Sequence, residues 1–224
     1  MPTVEEKKAE FDQYWREQPQ MRADPRSIQR ASIISRILRR RFGRMLDIGC
    51  GRGLTMDYFT SLGYDVTGAD ISPDMVTKAS EKGHKAFITD IERDQPEGKY
   101  EIILCLEVLQ QLYYPVRALK RIKDALEDDG ELVVSLPNEF HIVSRLKLLF
   151  GKSHLGHYSH SHIRLFSPDR DESLFERVNL RIVDRVYVPI VPPRWRFLSR
   201  LFSRLMQKYP SLFAISSIYN LRKL

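Results

Sequence analysis

Between residues 44 and 137 short apolar segments alternate with amphipathic ones, and this alternation constrains the fold more than any other feature of the chain. Residues 45–48, 64–69, 86–89, 100–106 and 130–136 read as strands. Residues 54–62, the segment opened by Ser72-Pro73, and residues 116–126 carry helical periodicity. Ser72 suits a helix cap and Pro73 the first turn, while Gly63 closes the helix before them. The 100–106 segment is apolar on both faces, as a parallel strand covered from both sides must be. Repeated strand–helix–strand units require a parallel sheet with helices on both faces, an α/β fold.

The flanks are less regular. Residues 4–18 and a segment capped by Ser27 read as helices, the second ending in Arg39-Arg40-Arg41. After the core come a helix over 138–150, a loop over 151–161 and a helix over 167–178. A strand over 180–191, a basic helix over 194–208 and a last strand over 212–221 complete the chain. No repeat or linker divides it, so one domain over 1–224 is expected.

The sharpest motif is Asp47-Ile48-Gly49-Cys50-Gly51-Arg52-Gly53, which joins the first strand to a helix. Glycines admit backbone angles closed to other residues and let a ligand approach the main chain. The carboxyl end of the strands is where open α/β sheets bind nucleotides. Leu54 stands where the NAD-type glycine pattern needs its last glycine, and no Gly-Lys-Ser/Thr follows for a phosphate loop. Asp70 ends the second strand and can accept hydrogen bonds from two ribose hydroxyls. Asp90 ends the third, where a carboxylate can accept from an adenine amino group while Ile91 packs on the ring.

These residues resemble a known family, the class I S-adenosylmethionine-dependent methyltransferases of the small-molecule type, similar to the quinone-biosynthesis O-methyltransferases. Residues 46–53 match the family's first motif and residues 66–72 its second-strand motif. YEIILCLEVLQQL (100–112) and DGELVVSLPN (129–138) are similar to the fourth- and fifth-strand motifs. The resemblance implies a Rossmann-like, seven-stranded, mostly parallel sheet with an antiparallel last strand. It implies S-adenosylmethionine as methyl donor, with S-adenosylhomocysteine as product. On the same ground Asp47, Gly49, Cys50, Gly51 and Gly53 form the loop at the methionine end. Asp70 and Ile71 would lie at the ribose, Asp90 and Ile91 at the adenine, and Leu106 at the sulfonium. Residues 1–42 are then expected as a helical lid, with Tyr14 and Trp15 on one face, 43–137 as the cofactor-binding core, and 138–224 as the substrate-side part.

Methyl transfer to oxygen needs a base within hydrogen-bond reach. The quinone enzymes carry Glu-x-x-Glu-His after the fourth strand. Here the stretch reads Glu107-Val108-Leu109-Gln110-Gln111, and glutamine amides are neither bases nor good ligands for borderline metals. No metal is expected. Glu107 is a candidate base or orienting group, and equally a cap for the helix that follows. His154, His157, His160 and His162 fall within nine residues. Without cysteine or carboxylate neighbours their spacing is no zinc pattern, and the first three read as a solvated loop. His162 opens HIRLFS, which resembles a segment facing the active site in small-molecule methylases, and it is the favoured base.

The acceptor is narrowed by exclusion. The place of the Asn/Asp-Pro-Pro-Tyr motif of DNA amino-methylases is held by Cys105-Leu106-Glu107-Val108. Protein arginine methylases keep two close glutamates, and only Glu107 stands in this loop. A small-molecule, lipid or lipid-linked sugar acceptor is expected. Methylation of RNA or protein, or a catalytically silent binding protein, stands as the alternative. Of 36 basic residues, seven lie in 194–224 with no acid among them, which leaves 29 basic against 29 acidic in residues 1–193. The net charge of +7 is thus local. Trp195, Leu198, Leu201, Phe202, Leu205 and Met206 oppose Arg200, Arg204 and Lys208 at helical spacing, a pattern that fits peripheral contact with an anionic membrane or a solvated surface helix. Two cysteines build no disulfide framework, no apolar run reaches the ~20 residues of a membrane span, and the first ten residues carry no apolar leader. A cytoplasmic protein with reduced thiols is expected.

Overall fold

A seven-stranded sheet forms the centre of the computed structural model, which describes residues 3–17, 25–152, 162–189 and 204–224. The strands are β1 (Arg44–Ile48), β2 (Asp65–Asp70), β3 (Lys85–Ile88), β4 (Tyr100–Leu106), β5 (Leu126–Pro137), β6 (Leu180–Pro189) and β7 (Ala214–Lys223). Their spatial order is β3-β2-β1-β4-β5-β7-β6. β1 to β5 are parallel, and β7 runs antiparallel to both β5 and β6. From β1 the chain winds outward through β2 and β3, then returns to β4 on the other side. The crevice between those two directions opens above the carboxyl ends of β1 and β4.

Around the sheet lie α1 (Val4–Glu17), α2 (Pro25–Ile37), α3 (Leu54–Ser61), α4 (Pro73–Glu81), α5 (Pro115–Ala125), α6 (Ile142–Leu149) and α7 (Asp171–Glu176). Alternation along each strand sends residues to opposite faces. Ile103, Cys105, Leu132 and Val134 pack with Leu119 and Ile122 of α5 and Phe175 of α7. Ile102, Leu104 and Val133 pack on the other face with Ala31 and Ile34 of α2 and Met56 and Phe59 of α3. The sheet is therefore covered on both sides, which is why β4 at its centre is apolar on both faces.

Departures from the sequence reading have local causes. α2 begins at Pro25, so Ser27 lies inside it and not at its cap. α6 starts at Ile142 and not at 138, because the Asn138 amide donates to the carbonyls of Ser211 and Ala214 while its oxygen accepts from Phe140 N–H. That triple use holds 138–140 as a turn. The Ser167 carbonyl accepts from Arg170 N–H at 2.9 Å, closing a separate turn and delaying α7 to Asp171. A helical turn, Pro210–Phe213, takes the first residues assigned to the last strand, and β7 runs on to Lys223. Of the basic helix over 194–208, residues 204–208 are helical, and the rest lies outside the described residues with Trp195 and Phe202. His154, His157 and His160 lie outside them too. No helix among the described residues is long and apolar enough to cross a membrane.

Glu131 on β5 is fully buried and was not singled out in the sequence. Its carboxylate accepts from the N–H groups of Arg39 and Arg40 and from the Asn220 amide at 2.6 Å, tying the chain after α2 to β5 and β7.

Candidate functional site

The loop after β1 is built from left-handed backbone. Gly49, Gly51 and Gly53 have φ of 73°, 53° and 77°. A side chain at Gly49 would run into Val108, on the loop after β4. At Gly51 nothing lies within 4 Å of where a Cβ would stand, so the crest of the loop is open to a ligand. Gly53 is the N-cap residue of α3. Cys50 is buried, and its sulfur packs where a Cβ on Gly68 of β2 would stand, which fixes glycine at that strand position as well. Burial pushes both the Cys50 and Cys105 thiols well up, so neither is ionised or reactive at neutral pH.

Asp47 and Asp70 close the floor. Asp70 accepts from Gly51 N–H and from Ser72 N–H, each at 2.9 Å, so it sets the loop's shape. Burial still pushes its carboxyl up, against the pull of those two N–H groups. Asp47 is 2% exposed, and no hydrogen bond reaches its carboxylate from the described residues. Burial pushes it to about 8, with the nearby Asp70 charge adding and Arg30 of α2 opposing. A buried acid with no donor among the described residues, under an open glycine crest, fits a cationic group held over a main-chain cradle.

At the end of β3 the structure adds partners that the sequence did not reveal. Asp90 receives Lys7 of α1 at 3.3 Å, and Lys7 also bonds Glu92 at 2.5 Å. All three are nearly fully buried. Glu92 in turn accepts from Tyr114 N–H. Asp12 of α1 accepts from the Ser72 hydroxyl. α1 thus lies across the ends of β2 and β3, as a lid would; the side chains of Tyr14 and Trp15 are outside the described residues. Ile71 is half-buried, and Ile91 is buried within the core cluster that also holds Ile48 and Ala69.

The ends of β4 and β5 form a second polar group. Leu106 ends β4, half-buried. Glu107 has φ 57°, a left-handed angle that costs a non-glycine residue on the order of 1–3 kcal/mol. Its N–H donates to Ser135 of β5, and its carboxylate accepts from the Ser135 hydroxyl at 3.0 Å and the Gln110 amide at 3.3 Å, with Arg30 at 3.6 Å. It does not cap the helical turn that follows, which has no side-chain cap. The Gln110 carbonyl accepts from Ile163 and Arg164 N–H at 2.9 Å, which brings His162 beside the same strand ends. His162 Nδ1 lies 2.7 Å from Glu139 Oε1, two residues past β5. Sequence reasoning missed Arg30, Lys7, Ser135 and Glu139. Each meets its partner across at least 23 residues of chain, and no spacing rule reports such pairs.

A family model for the methyltransferase domain matches residues 15–185. The chain is 39% identical over 101 residues to a ubiquinone biosynthesis O-methyltransferase of Bradyrhizobium sp. (strain ORS 278), covering 42% of this chain and 40% of that protein. It is 25% identical over 182 residues to the protein of that name from Xanthomonas euvesicatoria pv. vesicatoria (strain 85-10), covering 74% of this chain and 73% of the relative. Among solved structures, a TehB-like SAM-dependent methyltransferase from Corynebacterium glutamicum superposes with TM-score 0.62 at 19% identity, covering 97% of this chain and 98% of that one.

Proposed function

The chain belongs to the methyltransferase-domain family, and from that premise we propose that it is an S-adenosylmethionine-dependent enzyme that methylates an oxygen of a small molecule, a lipid or a lipid-linked sugar. One observation carries this reading. The glycine loop with Asp47 and Asp70 adjoins a second polar group, Glu107, Ser135, Gln110 and His162, at the ends of β4 and β5. The first group suits a nucleoside with a cationic amino-acid tail, and the second suits a hydroxyl that must lose a proton. Both relatives are named ubiquinone biosynthesis O-methyltransferase, which favours oxygen.

When bound, S-adenosylmethionine supplies a methyl group already activated on a sulfonium. The protein's own work is alignment, exclusion of water and proton removal. Asp47 faces the cationic tail, and the Arg30 charge favours its ionised form. Asp70 accepts from the ribose hydroxyls through lone pairs left beside its two N–H bonds. Asp90 and Ile91 serve the adenine, Gly51 allows close approach, and Leu106 stands at the reacting end. His162 takes the acceptor's proton, and Glu107 orients the acceptor. α1 covers the cofactor.

Calorimetry with S-adenosylhomocysteine tests the first group. Binding is expected, and Asp70→Ala is expected to weaken it tenfold or more, since a net hydrogen bond is worth about 1 kcal/mol and several are lost. Absence of binding by the unaltered protein overturns the assignment. Methyl-labelled S-adenosylmethionine, incubated with fractionated cell extract, then identifies the acceptor by mass. Label arriving on nitrogen or carbon overturns the choice of oxygen.

A further inference from the structure

We propose that Glu139 is a positioning residue that holds His162 in the tautomer and orientation a general base requires; this rests on the reading of His162 as that base. The Nδ1 to Oε1 separation is 2.7 Å, the length of a strong hydrogen bond. An ionised carboxylate can only accept, so the ring nitrogen facing it must carry the hydrogen. In the neutral ring that puts the basic lone pair on Nε2. Glu139 sets which nitrogen does the chemistry.

The pair is built from separately anchored segments. Glu139 follows Asn138, whose buried amide is tied to the Ser211 and Ala214 carbonyls. Its own N–H meets the Phe166 carbonyl at 3.4 Å. His162 is held through Ile163 and Arg164, whose N–H groups share the Gln110 carbonyl. Two loops that leave the sheet at β4 and β5 therefore fix both ends of one hydrogen bond. The Glu139 side chain is 12% exposed and that of His162 26% exposed, so the acid is the more enclosed partner. The other described histidines are engaged elsewhere: His141 caps α6, and His84 bonds Asp57 at 2.6 Å.

In the step this serves, the acceptor's O–C bond forms as the C–S bond breaks, and the bonding pair leaves on sulfur. The acceptor's proton passes to Nε2. Glu139 stays ionised and stabilises the imidazolium, which then releases the proton to water. No oxidant, metal or further reactant is needed.

The test is nitrogen NMR of protein labelled with ¹⁵N-histidine, with long-range couplings reporting which ring nitrogen bears hydrogen. At a pH where the ring is neutral, His162 is expected to be protonated at Nδ1. Glu139→Ala is expected to move the hydrogen largely to Nε2. Glu139→Gln, which keeps an oxygen acceptor of the same shape, is expected to retain the Nδ1–H form. A wild-type ring protonated at Nε2, or a tautomer unmoved in Glu139→Ala, overturns the proposal without any substrate.

Labelled methyl transfer into the extract fraction separates the two readings. Full transfer by His162→Ala overturns the base itself. Loss in His162→Ala, by ~10²–10⁴, with full transfer by Glu139→Ala overturns only the role of Glu139. Loss in both, with S-adenosylhomocysteine affinity unchanged and partial rescue by Glu139→Gln, supports the pair.

Discussion

On the proposed assignment, Asp47 couples ligand binding to pH. Burial raises its carboxyl to about 8, so below that pH the free protein carries the proton. A bound cation favours the ionised form, so binding releases the proton. The groups facing it are Asp70, which pushes the same way, and Arg30, which opposes. Affinity for S-adenosylmethionine is therefore expected to fall as pH drops from 8 to 6, by up to about tenfold per unit, and to level off above 8. Titrations across that range check it, and Asp47→Asn should flatten the curve. A flat wild-type profile would remove this role. At Glu107 the left-handed backbone is a stored cost, offset by Ser135 and Gln110 holding the carboxylate.

At the scale of elements, α1 is tied down by a buried charge cluster. Lys7 stands between Asp90 and Glu92, and all three are buried. Removing one partner of a buried ion pair costs about 3–5 kcal/mol, because the remaining charges lose their compensation. Lys7→Met is expected to release α1 and speed amide exchange along Val4–Glu17, with the sheet unaffected. Adding Asp90→Asn and Glu92→Gln should restore much of the protection. If exchange in α1 is unchanged in Lys7→Met, the clasp is not what holds it. The same helix shows what was legible. The glycine loop, Ser72-Pro73 and the doubly apolar β4 are local signals, so β1 to β5 and α3 to α5 fall within a few residues of expectation. Lys7 with Asp90, or Glu139 with His162, are meetings that only the folded sheet arranges. α6 and α7 fell short because Asn138 and Ser167 spend their polar groups on turns, a use indistinguishable in sequence from helix capping.

For the molecule as a whole, the expected α/β sheet with an antiparallel strand is present, and the surprise lies in its buried acids. Glu131 has its donors; Asp171 is less well served. Asp171 accepts from the Tyr219 hydroxyl at 2.8 Å, and burial raises it to about 7 against the pull of Tyr219 and of the Ser167 backbone. An acid raised by folding holds its proton longer in the native state, so stability falls as pH climbs from about 4 to about 7 and stays low above. Asp171→Asn removes that cost. Its gain is expected to be small at pH 5 and larger at pH 8, at most about 4 kcal/mol for a shift of this size, measured as denaturant midpoints at both values. An equal gain at the two pH values would place the effect elsewhere.

The position of β7 sets a timetable. It follows β6 in the chain, yet it sits between β5 and β6 and carries Tyr219 and Asn220, which donate to Asp171 and Glu131. While residues 214–223 are still inside the ribosome, β6 has no neighbour, the outer edge of β5 is bare, and Asp171 and Glu131 each lack a donor that β7 supplies. The half of the sheet that holds the glycine loop is complete well before that moment. A nascent chain thus completes its glycine loop before the outer edge of its sheet is closed.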